Sequence, residues 1–105
     1  MSNELPVSEQ YRIVAKKWVD ADAAASLLEE SKSSFLAKMM SELGDMPVSR
    51  AEMNVKSSVE WQEYIRSMVE ARQKAALLKV QLEYIRMRFS EEQSYEATKR
   101  AEMKL

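Results

Sequence analysis

Apolar residues recur along this chain at alternating intervals of three and four. One set runs Val7, Tyr11, Val14, Trp18, Ala21, Ala25, Leu28, Phe35 and Met39; a second runs Trp61, Tyr64, Met68, Ala71, Ala75, Leu78, Leu82, Ile85 and Phe89. That spacing marks the face of a long helix that lies against another helix. Lys32 is the one polar interruption of the first stripe. Between the stripes, Leu43-Gly44-Asp45-Met46-Pro47-Val48-Ser49 holds the chain's single glycine and a proline, and is the one place where a sharp reversal is written. The pattern predicts an all-α fold, a long antiparallel two-helix hairpin of coiled-coil type, in one domain over residues 1–105.

The boundaries follow from capping chemistry. Leu5-Pro6 holds the backbone extended and leaves Ser8 as an N-cap, so the first helix is placed at 8–43, with Gly44 as its left-handed close. The turn covers 44–48. Ser49-Arg50-Ala51-Glu52 has the capping-box form, and Val48 and Met53 stand where a hydrophobic staple would form, which starts the second helix at 49. Its pattern persists to Phe89. Beyond it, Ser90-Glu91-Glu92-Gln93 also has the form of a helix start, but a continuing helix toward residue 103, with Ala97, Ala101 and Met103 on a weaker apolar face, is the reading adopted. No internal repeat is present.

Folding the chain between Met46 and Pro47 sets Trp18 against Ala75, Val14 against Leu78 and Tyr11 against Leu82. Large residues then meet small or flexible ones, as dense packing requires. Lys32 comes opposite Trp61, where its ammonium can sit over the indole. A single seam cannot bury Leu27, Leu36, Met40, Leu43, Ile65, Val69, Leu77, Val80 and Met87 as well. Leaving such side chains in water forgoes roughly 1.5–3 kcal/mol each, so a homodimer forming a four-helix bundle, or a protein partner, is expected to cover them. The second helix also outlasts the first from Met87 onward. Met87, Phe89, Tyr95 and Met103 are therefore the expected partner or dimer contacts, and Tyr84 and Tyr95 are the aromatic residues placed to face outward.

Composition narrows the chemistry. With one Gly and two Pro in 105 residues, the chain lacks the turns of a β-protein. It has no Cys and no His, which removes disulfides, thiolate and imidazole catalysis and sulfur-rich zinc sites. Carboxylate pairs such as Glu29-Glu30, Glu91-Glu92 and Asp20-Ala21-Asp22 point in different directions on a helix and read as solvated surface. No phosphate-cradling glycine loop occurs. The chain is thus expected to be no enzyme and to carry no cofactor. Its longest uncharged run, Ala23 to Leu28, cannot span a bilayer, and Glu4 stands where a signal peptide would be basic; a location in the cytoplasm of the cell that makes it is expected.

Net charge is only −1, which does not favour nucleic-acid binding, but the charges are unevenly placed. Arg12, Lys16 and Lys17 outnumber Glu9 in the first helix, and Arg72, Lys74, Lys79, Arg86 and Arg88 outnumber Glu83 in the segment that pairs with it. The rod is basic at its open end and acidic toward the turn. Arg12, Lys16, Lys17, Lys79, Arg86 and Arg88 are the candidate contacts to phosphate or to an acidic partner; the plainer reading is that they solvate the surface and pair with nearby carboxylates.

The layout from Gly44 to Leu105 resembles a group of small all-helical proteins of tailed bacteriophages and prophages. It is carried by the turn Gly44-Asp45-Met46-Pro47-Val48-Ser49, the segment Trp61-Gln62-Glu63-Tyr64, the run Ala71 to Arg88 and the terminal Arg100-Ala101-Glu102-Met103-Lys104-Leu105. The resemblance implies an accessory in phage DNA recombination or replication, working beside single-strand annealing and single-strand-binding proteins through protein contacts. It assigns no role to any residue. Direct nucleic-acid binding through the basic end, and inhibition of a host protein, are the alternatives.

Overall fold

A computed structural model of the chain describes residues 5–104. The fold is all-α and strongly elongated, with extents of 84 × 25 × 17 Å. Four helices follow in order: α1 Val7–Glu30, α2 Lys32–Glu42, α3 Val48–Lys56 and α4 Val59–Met103. α1 packs along α4, α2 packs on α3, and α3 also touches α4.

α1 starts one residue before the expected position. Pro6 is its N-cap, and the Pro6 carbonyl accepts from the amides of Glu9 and Gln10, each at 3.0 Å. Ser8 is therefore already inside the first turn. The expected first helix, 8–43, is interrupted at Ser31, although Ser31 still donates to Leu27 at 3.0 Å and Phe35 to Ser31 at 2.9 Å. The cause lies across the seam, where the Tyr64 hydroxyl donates to the Leu28 carbonyl. A side chain that engages the backbone ladder in this way is a recognised origin of a helix break. α2 ends at Glu42, and Gly44 takes the left-handed conformation at φ 80° that closes it.

The expected capping box does not form. Pro47 sets an extended backbone (ψ 140°) and α3 begins at Val48, so Ser49 falls within the helix and no side chain caps it. Glu52 instead pairs with Lys56 at 2.7 Å. The staple is missing too, since Val48 and Met53 are 72% and 70% exposed.

The expected helix 49–89 is also broken, at Ser57-Ser58. Ser58 is the true cap, its hydroxyl accepting from the Trp61 amide at 3.2 Å while donating to the Val55 carbonyl at 2.6 Å. This break turns α3 onto α2, where Ala51 and Val55 become buried and Leu36 and Met40 half-buried. From Val59, α4 runs 45 residues without interruption, a rod of about 67 Å.

The seam is built as its spacing foretold except at its open end, where the stripe residues Tyr11 and Phe89 are 38% and 47% exposed. Ala21, Ala25, Trp61, Ala75, Leu82 and Ile85 are buried. Three of these six are alanines, small side chains that leave room for the larger residues around them to pack. Near the closed end Phe35 stacks on Tyr64 with centroids 4.4 Å apart, and Trp61 lies 6.1 Å from Phe35. The Lys32 ammonium sits 5.9 Å from the Trp61 ring centroid, the pairing expected from the register.

Candidate interaction surface

α4 has a second apolar face. Leu77, Val80, Tyr84 and Met87 are 60–67% exposed, and Val69 is nearly half exposed. Each stands two positions from a residue of the seam: Leu77 from Ala75, Val80 and Tyr84 from Leu82, Met87 from Ile85 and Val69 from Ala71. Two positions turn a helix by roughly 200°, so these side chains project from the side of α4 opposite α1. The flanking residues expected to need cover thus divide. Leu36, Met40 and Ile65 are half-buried within the hairpin, whereas Leu27, Leu43, Val69, Leu77, Val80 and Met87 remain exposed.

The expected partner contacts do not share one surface. Met87 belongs to the outer face of α4. Phe89 lies at the open end of the seam, where it lines a groove with Val7, Ser8, Tyr11, Ile85 and Arg86. The groove has a volume of about 230 Å³, below the roughly 300 Å³ at which small-molecule pockets begin, and suits a side chain better than a ligand. Tyr95 and Met103 are exposed on the stretch of α4 beyond α1, where every described residue after Arg88 is exposed.

The basic candidates are dispersed as well. Arg12 is held by Glu9, with Nε donating to Oε2 at 3.0 Å; this contact raises the Arg12 pKa and lowers that of Glu9. Lys16 pairs with Asp20 at 3.2 Å, and Arg88 lies 4.0 Å from Glu92. Among the described residues no ion pair engages Lys17, Lys79 or Arg86.

Arg72, Lys79 and Arg86 are seven apart and share one flank of α4. Arg72 is the residue that sequence reasoning missed. Its guanidinium grips Glu29 at 2.7 and 3.0 Å, Asp22 at 2.6 Å and Ser26 at 3.3 Å. These bonds, Glu29 first and Asp22 second, raise the Arg72 pKa, and the same contact lowers that of Glu29. Two heptads back along α1 the positions of Glu29, Ser26 and Asp22 are taken by Ala15, Arg12 and Ser8, so Arg86 meets no such clamp, and one heptad back the carboxylate that remains for Lys79 is Asp22, already held by Arg72. Among the described residues no helix is long and apolar enough to cross a membrane. Comparison with protein-family models, characterised proteins and solved structures returns no match.

Proposed function

We propose that this chain is a non-catalytic accessory protein that works through helix–helix contacts in phage DNA recombination or replication. The observation that carries the first half is the outer face of α4, a coiled-coil-spaced apolar stripe left in water. The resemblance of the segment Gly44 to Leu105 to small helical phage proteins supports the second half. A homodimer is the expected state of the isolated protein, and a phage or host protein is the expected further partner. The test is affinity capture from infected bacteria with the intact chain and with Leu77→Glu. Retention of a recombination or replication protein by the first and its loss by the second is the expected result; a captured set indifferent to the substitution overturns the reading.

Direct DNA binding is the second reading, favoured by Lys79 and Arg86 standing on one flank without an ion pair among the described residues. It predicts that Lys79→Gln with Arg86→Gln weakens binding to single-stranded DNA and flattens its salt dependence. Equal affinity and equal slope for the variant would remove it.

A further inference from the structure

We infer that the outer face of α4 pairs with the same face of a second copy, the two α4 helices running parallel and in register. This rests on the helix–helix reading above and names its first partner, its orientation and its alignment. Leu77 and Tyr84 occupy the a positions of two successive heptads, and Val80 and Met87 the d positions. In a parallel dimer each layer is formed by identical residues from the two copies, and all four layers are apolar.

The charges flanking the four apolar layers distinguish the orientations. Parallel pairing brings Glu83 of each copy beside Arg88 of the other, giving two opposite-charge contacts at the flanking g and e positions. Arg88 would exchange for this its ion pair with Glu92 of its own helix, which at 4.0 Å is the longest among the described residues. The antiparallel alignment that keeps the same four layers apolar stacks Leu77 on Met87 and Val80 on Tyr84. It also sets Glu83 against Glu83 and Lys74 against Arg88, like charges on both flanks. Sliding the antiparallel pair by one heptad relieves those contacts but places Met87 against Glu70 and Tyr84 against Gln73, which gives up apolar layers.

Two consequences follow from the face being opposite the seam. The four helices lie in a row, α1, α4, α4, α1, because a closed bundle needs both neighbours of a helix on adjacent sides. The overhangs beyond α1 run side by side, with the small residues Ser94, Thr98 and Ala101 continuing the inner positions. Glu70 and Glu91 meet their own copies one heptad before Leu77 and just past Met87, local repulsions that bound the apolar stretch and mark this register.

The chain has no cysteine, so one introduced thiol reports one contact. With diamide taking up the two hydrogens, Val80→Cys should form a disulfide-linked dimer in high yield, because d residues face each other. Sedimentation equilibrium should show a dimer that Leu77→Glu converts to a monomer of unchanged helicity, and Glu91→Gln should tighten the dimer several-fold. A Val80→Cys chain that links only when mixed with Tyr84→Cys overturns the parallel orientation. A chain that stays monomeric at all concentrations, or a dimer indifferent to Leu77→Glu, overturns pairing through this face. If such a monomer still captures a phage or host protein through Leu77, self-pairing fails while the helix–helix reading stands.

Discussion

Arg72 reaches from α4 to two carboxylates and a hydroxyl on α1, and so ties the helices midway along the seam. Its planar fork meets Glu29 in a bidentate contact that a lysine cannot reproduce. Arg72→Met should lower the thermal midpoint, and Arg72→Lys should restore only part of the loss. The pH dependence has a definite sign. Because the folded-state pKa of Glu29 is depressed from its ordinary 4.5, its contribution is complete above that value and is lost as pH falls through the lower one. Thermal melts from neutral pH down to about 2 should therefore show an acid limb that is shallower in Arg72→Met than in the parent. A second contrast concerns caps. Ser58→Ala should cost about 1 kcal/mol in urea unfolding, as a lost N-cap does, whereas Ser49→Ala should stay within about 0.5 kcal/mol. Neither Arg72 nor Ser58 was legible as such. The partners of Arg72 are 43 and 50 residues away, beyond any local pattern, and Ser57-Ser58 is weaker punctuation than the Pro47-Val48-Ser49 beside it.

At the scale of elements, periodicity proved the informative signal. The two stripes named the residues buried between α1 and α4, including Ala21, Ala25 and Ala75, because spacing alone determines which side of a helix a residue occupies. The interruptions at Ser31 and Ser57-Ser58 escaped notice for a common reason: neither contains Gly or Pro, and one is induced by Tyr64 from another helix. Apolar spacing also flagged Leu77, Val80 and Met87 as surplus to the seam, but their gathering on one outer face emerges only once the side facing α1 is known. Close packing at the alanine positions gives an element-scale prediction. Ala25 is fully buried, so Ala25→Leu should force α1 from α4 and cost about 1–3 kcal/mol in chemical denaturation. The same change at exposed Ala23 should be nearly neutral.

As a whole, the molecule is an 84 Å rod whose closed end is thickened by α3 and whose open end is a lone helix. That asymmetry bears on cooperativity. Between Trp61 and Ile85, α4 is anchored by buried side chains; from Ser90 to Met103 every side chain is exposed. A 45-residue helix that is continuous in geometry is thus divided in thermodynamics. Ending the chain after Ser90 should leave the melting midpoint of a dilute, monomeric sample unchanged. Amide hydrogen exchange should trace the division directly, with slow exchange up to the level of Ile85 and a steep fall beyond it. Protection past that point would grow with protein concentration if neighbouring copies hold the overhang. One uninterrupted helix would then record both the strength of its own hairpin and the presence of company.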